Sequence, residues 1–343
     1  MNGATTIGVD LAKNVFQVHG VDEEGNVVFR RQLRRRQMLP FFKKQPPCLV
    51  GMEACATSHY RARQLIELGH QVKVMPPHYV KPYVKRNKND ATDAAANCEA
   101  VTRPTMRFVS VKSTEQQSVL ILHRTRDLLV RQRTMLINAI RAHMAEFGIV
   151  APVGVPQVKK LLAIIADTDD TRLPPIARTC LESLARLFLS LHDEIYATEK
   201  HIHTWHRSNE VSRRLESIPW IGPIIASALA ASITDSEVFK NGRELAAWIG
   251  LVPRQNSTGG KQRLGKISKQ GDQYLRWLLV AGAMSVILHA KRWGTNQPWL
   301  ANMIARKPTK VAAVAVANKN ARIVWALLRH GGTYQKPVAV PVA

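Results

Sequence analysis

Short apolar runs alternate with helix-like stretches through about the first 105 residues, and this alternation restricts the available folds more than any other feature. Thr5–Val9 is β-branched and apolar and ends at Asp10. Val15–His19 alternates again, Asp22–Asn26 has turn composition, and Val27–Phe29 resumes, which predicts two or three antiparallel strands joined by tight turns. Pro46 and Pro47 precede another apolar run, Cys48–Met52, closed by Glu53. Thr57–Leu68 reads as a helix stopped by Gly69, and Gln71–Met75 as a strand before Pro76 and Pro77. Interleaved strands and helices of this kind predict an α/β domain.

Lys85–Glu99 then sets Asp90 and Asp93 three residues apart at a helix start, with Thr92 and a run of alanines to carry the helix. Side chains at i and i+3 share a face, so both carboxylates point the same way. Lys85, Arg86 and Lys88 lie just upstream. A helix start also welcomes Asp for its dipole, so the pair alone does not define a site. Asp10 and Glu53 add to it, because both end buried-looking strands, and strand ends and helix starts in α/β folds converge on one edge of the sheet. Three or four converging carboxylates are ligands for a hard cation, Mg²⁺ or Mn²⁺ in its place. Two such ions activate the attacking oxygen and stabilise the leaving one in phosphoryl transfer.

The chain carries a formal net charge of +24 over 343 residues, a field suited to a polyanion, of which nucleic acid is the commonest. The dense cluster RRQLRRR, with Arg30, Arg31, Arg34, Arg35 and Arg36, fits phosphate contact. No apolar run of transmembrane length, signal peptide, basic amphipathic anchor or lipidation motif is expected, so no membrane partner is. Cys48, Cys55, Cys98 and Cys180 are scattered without a C-x-x-C pair, which argues against a zinc knuckle and for reduced thiols in a cytoplasm.

Ser113–Gly148 is a long helical stretch with Leu122, Leu129 and Leu136 at heptad spacing, continued by Ile140 and Met144. Ala151–Pro156 breaks it. Ile176–Ile218 carries Leu181, Leu184, Phe188, Leu191, Ile195, Thr198, Ile202 and Trp205 in steps of three and four, a coiled-coil seam for pairing within the chain or across a dimer. His201, His203 and His206 read as surface histidines. Leu215–Ile233 resembles a helix-hairpin-helix turned by Pro219, Gly222 and Pro223, whose amides would hold backbone phosphate; Trp220 stands where a second glycine is usual.

From Leu245 onward Asp272 is the sole acidic residue. Gly250–Arg276 threads Arg254, Lys261, Arg263, Lys266 and Lys269 between glycines that let backbone approach a ligand, with Ser257 and Thr258 before Gly259-Gly260. Tyr274–His289 and Thr309–Arg329 read as helices, so this region should be mostly α.

IGVDLAKNVFQV, VGMEA and KNDATDAAA resemble the DEDD transposases of the insertion sequence 110/1111 family, and Gly250–Arg276 resembles that family's C-terminal domain. The resemblance implies a RuvC-like domain of RNase H fold at 1–110 and a helical coiled-coil linker for dimerisation at 111–212. It further implies a C-terminal transposase domain with the helix-hairpin-helix and a catalytic serine loop at 213–335, then a tail at 336–343. It makes Asp10, Glu53, Asp90 and Asp93 a metal-binding acidic tetrad and Ser257 a nucleophile that becomes joined to DNA, with Thr258 the candidate in the neighbouring register. It also implies a structured guide (bridge) RNA encoded by the element, a homo-oligomer (dimer or tetramer), and a cytoplasmic, nucleoid-associated enzyme that breaks and rejoins DNA. A metal-dependent nuclease or junction resolvase, using the tetrad without a covalent step, is the alternative. An actin-like kinase would want glycines after Asp10, where Leu11-Ala12-Lys13-Asn14 has none, and a non-catalytic binder would need no carboxylate set.

Overall fold

Five strands organise the first of two units, Met1–Gln116, in a computed structural model that describes residues 3–85, 89–295 and 297–335. They are β1 (Thr6–Leu11), β2 (Val15–Val21), β3 (Val27–Arg34), β4 (Leu49–Glu53) and β5 (Gln71–Met75), in the sheet order β3-β2-β1-β4-β5. The first three form an antiparallel meander, whereas β4 runs parallel to β1 and β5 parallel to β4. Parallel pairing needs crossovers, and α1 (Met38–Lys43) and α2 (Ser58–Glu67) lie within them. Ile7, Val9, Phe16, Val50 and Met52 gather with Met38 and Phe42 of α1 and Ala62 and Leu65 of α2 in one buried cluster. The expected mixed α/β architecture is present.

Beyond α3 (Pro77–Val80), α4 (Asp90–Val101) packs against β1, β2 and β4. Two glycines permit this approach. A Cβ on Gly8 would stand 2.1 Å from the Ala94 carbonyl oxygen and 2.3 Å from the Cys98 nitrogen, and one on Gly51 would stand 2.6 Å from Val101 Cβ. Helix backbone therefore rests almost on strand backbone, and α4 answers with buried Ala94, Ala96 and Ala100. Asn97, wholly buried, locks the layers by donating from Nδ2 to the Val9 carbonyl at 3.0 Å.

The second unit, Gln117–Ala343, contains most of α5 (Thr114–Ala145), then α6 (Val155–Ala166) and α7 (Pro175–Ser208). Ile140 and Met144 late in α5 share a core with Leu161 and Ile165 of α6 and with Leu181 and Phe188 early in α7. Arg126, early in α5, pairs with Glu199, late in α7, at 2.7 Å. The two long helices thus run antiparallel within the chain, and the seam residues Leu181, Phe188, Ile195, Thr198 and Ile202 are buried. α6 is an addition to the sequence expectation.

Ile176–Ile218, expected as one stretch, is two helices. Asn209 leaves helical geometry and its Oδ1 accepts the Ser212 N–H at 2.8 Å, so α8 (Glu210–Glu216) starts afresh. His206 is likewise a correction. It is buried, with Nδ1 2.7 Å from Ser212 Oγ and Nε2 2.9 Å from Glu216 Oε2, and it pins α8 to α7.

The chain continues through α9 (Pro223–Ser232), α10 (Gly242–Trp248), β6 (Pro253–Gln255), β7 (Leu264–Ile267), α11 (Gln273–Trp293), α12 (Pro298–Arg306) and α13 (Thr309–His330). Leu229, Leu245, Leu275, Leu279, Val316 and Val324 lie in their common core. Contrary to the sequence expectation, α13 is long and apolar enough to cross a membrane by length and composition. Its Ala312, Ala313, Val316, Ala317 and Ala321 are inside this core. A buried polar chain ties α5 to it. Ser227 Oγ donates to the Pro223 carbonyl at 2.7 Å, so it accepts from His123 Nε2 at 3.1 Å, and His123 Nδ1 accepts from the Tyr274 hydroxyl at 3.1 Å. Burial drives the His123 pKa down to about 4 and, acting on the phenol, pushes Tyr274 up to about 12.

Candidate functional site

Asp10 sits near the end of β1, opposite Gln17 of β2. Asp90 and Asp93 occupy the first turn of α4, which Asn89 opens with reciprocal bonds: its Oδ1 accepts the Thr92 N–H at 2.9 Å and Thr92 Oγ1 accepts the Asn89 N–H at 3.0 Å. The close seat of α4 on Gly8 carries these carboxylates to β1. One oxygen each from Asp10, Asp90 and Asp93 lies within 4.8 Å of the others. Oxygens on opposite sides of one hard cation stand about 4–5 Å apart, so the three fit a single divalent ion. Among the described residues that group holds three of the four expected carboxylates. Glu53 ends the neighbouring strand, one step past the Val9–Met52 pairing, and lies outside the 4.8 Å group.

Asn97 was not singled out from the sequence. It lies four residues past Asp93, on the same helical face, and grips the peptide that leads into Asp10. The i+4 spacing from a candidate ligand was the available signal.

The basic cluster spans the end of a strand and the turn that follows it. Arg30, Arg31 and Arg34 are exposed on β3, an edge strand, and Arg35 and Arg36 lie in the 3₁₀ turn after it. Arg35 donates from Nε and Nη2 to the Lys13 carbonyl at 2.9 and 2.6 Å, bracing the turn that follows Asp10. Arg30 and Lys85 line one groove with His19, whose pKa is lowered by burial and then by these two cations. Arg86 and Lys88 lie outside the described residues, as does the 336–343 tail.

The glycine-rich stretch contains the β6–β7 hairpin rather than an open loop. Its base is fixed. Gly271 at φ +69° comes so near α10 that a Cβ would overlap the Trp248 carbonyl, and Arg276 Nη1 donates to the Ile249 and Gln270 carbonyls, both at 2.7 Å. Ser257 is near the exposed tip. Its Oγ accepts from Gln255 Nε2 at 3.1 Å and from the Arg263 backbone N–H at 3.2 Å. With both contacts accepted by the oxygen, the serine proton is not used in either of them. Thr258 is also exposed, with its carbonyl accepting the Lys261 N–H at 3.0 Å. Lys261, Arg263, Lys266 and Lys269 are exposed, and Arg254 reaches the Ser268 carbonyl from Nη2 at 3.2 Å.

Between α8 and α9, Trp220 adopts φ +73°, the left-handed backbone a glycine would take, with its side chain packed on the core. The unusual residue therefore does not change the turn's backbone. Asn320 of α13 holds the turn by donating to the Pro219 carbonyl at 3.1 Å, and a Cβ on Gly222 would meet open space.

Two family comparisons bear on this arrangement. Residues 7–149 match a DEDD transposase family of the IS110 type, and residues 212–298 match the transposase IS116/IS110/IS902 family. The class is a DNA-acting transposase. The chain is 50% identical to a probable family 20 transposase of Pseudomonas aeruginosa over 96% of this chain and 98% of that one. It is 40% identical to the transposase for insertion sequence element IS1328 of Yersinia enterocolitica, over 98% and 100% of the two chains. Against the transposase for insertion sequence element IS1111A of Coxiella burnetii the identity is 39% over 98% and 92%. The protein belongs to the IS110/IS1111 family of insertion-sequence transposases, whose DEDD domain implies the use of a divalent metal.

Proposed function

We propose that this transposase cuts and rejoins DNA through a covalent serine–DNA intermediate, with Asp10, Glu53, Asp90 and Asp93 of an RNase H-like domain holding Mg²⁺. The observation that carries the reading is the convergence of Asp10, Asp90 and Asp93 within 4.8 Å at a strand end and a helix start. When bound, the metal supplies charge neutralisation at the phosphate and at the oxygens that enter and leave. Glu53, one methylene longer than Asp, completes the set by a change of rotamer.

Ser257 is the nucleophile in this reading. Its Oγ forms a bond to phosphorus as the bond to the departing strand oxygen breaks, and the serine proton is taken up as that strand leaves as a hydroxyl. A strand hydroxyl then attacks the phosphoserine, releases Ser257 and takes over the phosphodiester. The bond energy that hydrolysis would discard is kept, which is why recombination needs no outside energy source. Gln255 and the Arg263 N–H support the oxygen of Ser257, and Lys261 and Arg263 add positive charge around the phosphate. The α8–α9 turn holds backbone phosphate through Gly222 and the amides that open α9, as a helix-hairpin-helix does. The enzyme acts as a homo-oligomer, and an element-encoded guide RNA selects the DNA. The enzyme works in the cytoplasm on the nucleoid.

Peptide mapping of an adduct trapped on nicked DNA tests the covalent step. The link is expected on Ser257, and Ser257→Ala should bind DNA almost normally yet form no adduct. An adduct on Thr258 moves the nucleophile by one residue. An active enzyme that never forms an adduct belongs to the hydrolytic alternative, with Ser257 as a phosphate contact.

A further inference from the structure

Three of the seven tryptophans are exposed, and all three lie on α11 and α12: Trp277, Trp293 and Trp299, at 47%, 69% and 37%. Indoles left this far in water present large apolar surface to solvent. Two of them already carry a cation. The Arg292 guanidinium lies 5.1 Å from the Trp293 ring centroid, and Lys319 Nζ lies 4.1 Å from that of Trp299. Trp293 ends α11 and Trp299 is near the start of α12, so at most about 20 Å of chain separates them. Lys291 Nζ donates to Thr309 Oγ1 at 2.6 Å, which fixes the end of α11 to the start of α13.

The charge around this corner decides between occupants. Residues 273–335 contain nine Lys and Arg and no Asp or Glu. That field repels a second copy of the same surface and favours a polyanion. Among polyanions, the indole faces select one with flat rings to stack. In a duplex those rings are stacked on each other and offer only their edges, so the fitting ligand is an open strand.

We infer that Trp293 and Trp299 form a stacking platform for the unpaired nucleobases of a single strand, with Arg292 and Lys319 beside them to meet its phosphates. The inference rests on the reading that the chain handles nucleic acid during strand exchange, and it names which state of the nucleic acid this corner takes. The strand comes from opened DNA or from RNA, which present the same rings.

The test uses the full-length protein with labelled oligonucleotides of one length: single-stranded DNA, single-stranded RNA, duplex DNA and an abasic strand. Trp293→Ala is expected to weaken single-strand binding roughly five- to a hundredfold, with duplex and abasic affinities unchanged within twofold. Trp293→Phe should restore most of the loss, and Trp299→Phe should be nearly neutral while Trp299→Ala is not. The salt slope should stay the same, because no phosphate contact is removed. A loss confined to DNA or to RNA identifies the source of the strand. Wild-type protein that binds single strands while the Trp293→Ala variant binds them equally well overturns the platform alone, and so does a parallel loss on duplex and single strands. Wild-type protein that binds neither form overturns the nucleic-acid reading itself.

Discussion

Gly8→Ala should separate the acidic cluster without touching a carboxylate. The new methyl would stand 2.1 Å from the Ala94 carbonyl and 2.3 Å from the Cys98 nitrogen, where ordinary contact begins at 3.4 Å. Both neighbours are helix backbone, so no side chain can rotate away and α4 must retreat by about 1 Å. Replacing a strand glycine by alanine recovers roughly 0.5–1 kcal/mol of chain entropy. Overpacking costs typically 1–3 kcal/mol, with rigid backbone neighbours towards the upper end, so overpacking wins. A net loss of about 2 kcal/mol lowers the melting temperature of the first unit by roughly 5–15 °C. The retreat also carries Asp90 and Asp93 away from Asp10. The carboxylates now lie within 4.8 Å of one another, so a shift of about an ångström in two of the three weakens the shared site. Thermal unfolding followed by circular dichroism, and Mg²⁺ titration by calorimetry, read the two effects. Gly222→Ala is the control for stability, since its Cβ meets open space at φ −86°. A Gly8→Ala protein that melts within 1 °C of wild type by this scale and binds Mg²⁺ within twofold would refute the reasoning.

Asp93→Asn should abolish strand exchange while leaving the melting temperature nearly unchanged, because a ligand charge is lost but volume is kept; recombination at ordinary Mg²⁺ in this variant would remove Asp93 from the site. His123 makes stability depend on pH. Its pKa falls from 6.5 to about 4 in the fold, so between those values the unfolded chain takes a proton that the native state refuses. Its contribution is whole above pH 6.5 and is lost as pH falls towards 4, by up to about 3 kcal/mol, and urea unfolding of wild type and His123→Leu across that window should differ in slope. Identical slopes would mean that His123 does not carry the effect. DNA affinity should fall steeply with salt, as expected of a chain with net charge +24; a nearly flat plot of log K against log salt would assign the charge another purpose.

Much of the first unit was legible because its signals are local. The alternation in Thr5–Val9 and Cys48–Met52, the carboxylate that follows each run, and the Asp90–Asp93 spacing follow from periods of two and 3.6 residues. The α7 seam was legible for the same reason, since steps of three and four define a helical stripe whatever covers it. The family, too, is written in those short motifs. What the sequence left open depended on partners distant in the chain. Arg30–Arg34 reads as a charged cluster in any window and is an edge strand because β2 supplies the ladder. His206 has the composition of a surface residue and is buried because Asn209 restarts the helix and turns Ser212 and Glu216 back onto it. Ser257 and its glycines became a hairpin with a fixed base only through contacts to α10 and α11. The sequence by itself determined which carboxylates were available and on which kinds of element. Tertiary structure decided how close they came, because the seat of α4 depends on two missing side chains, Gly8 and Gly51, on strands far from it in the chain, and on the bond from Asn97 to Val9.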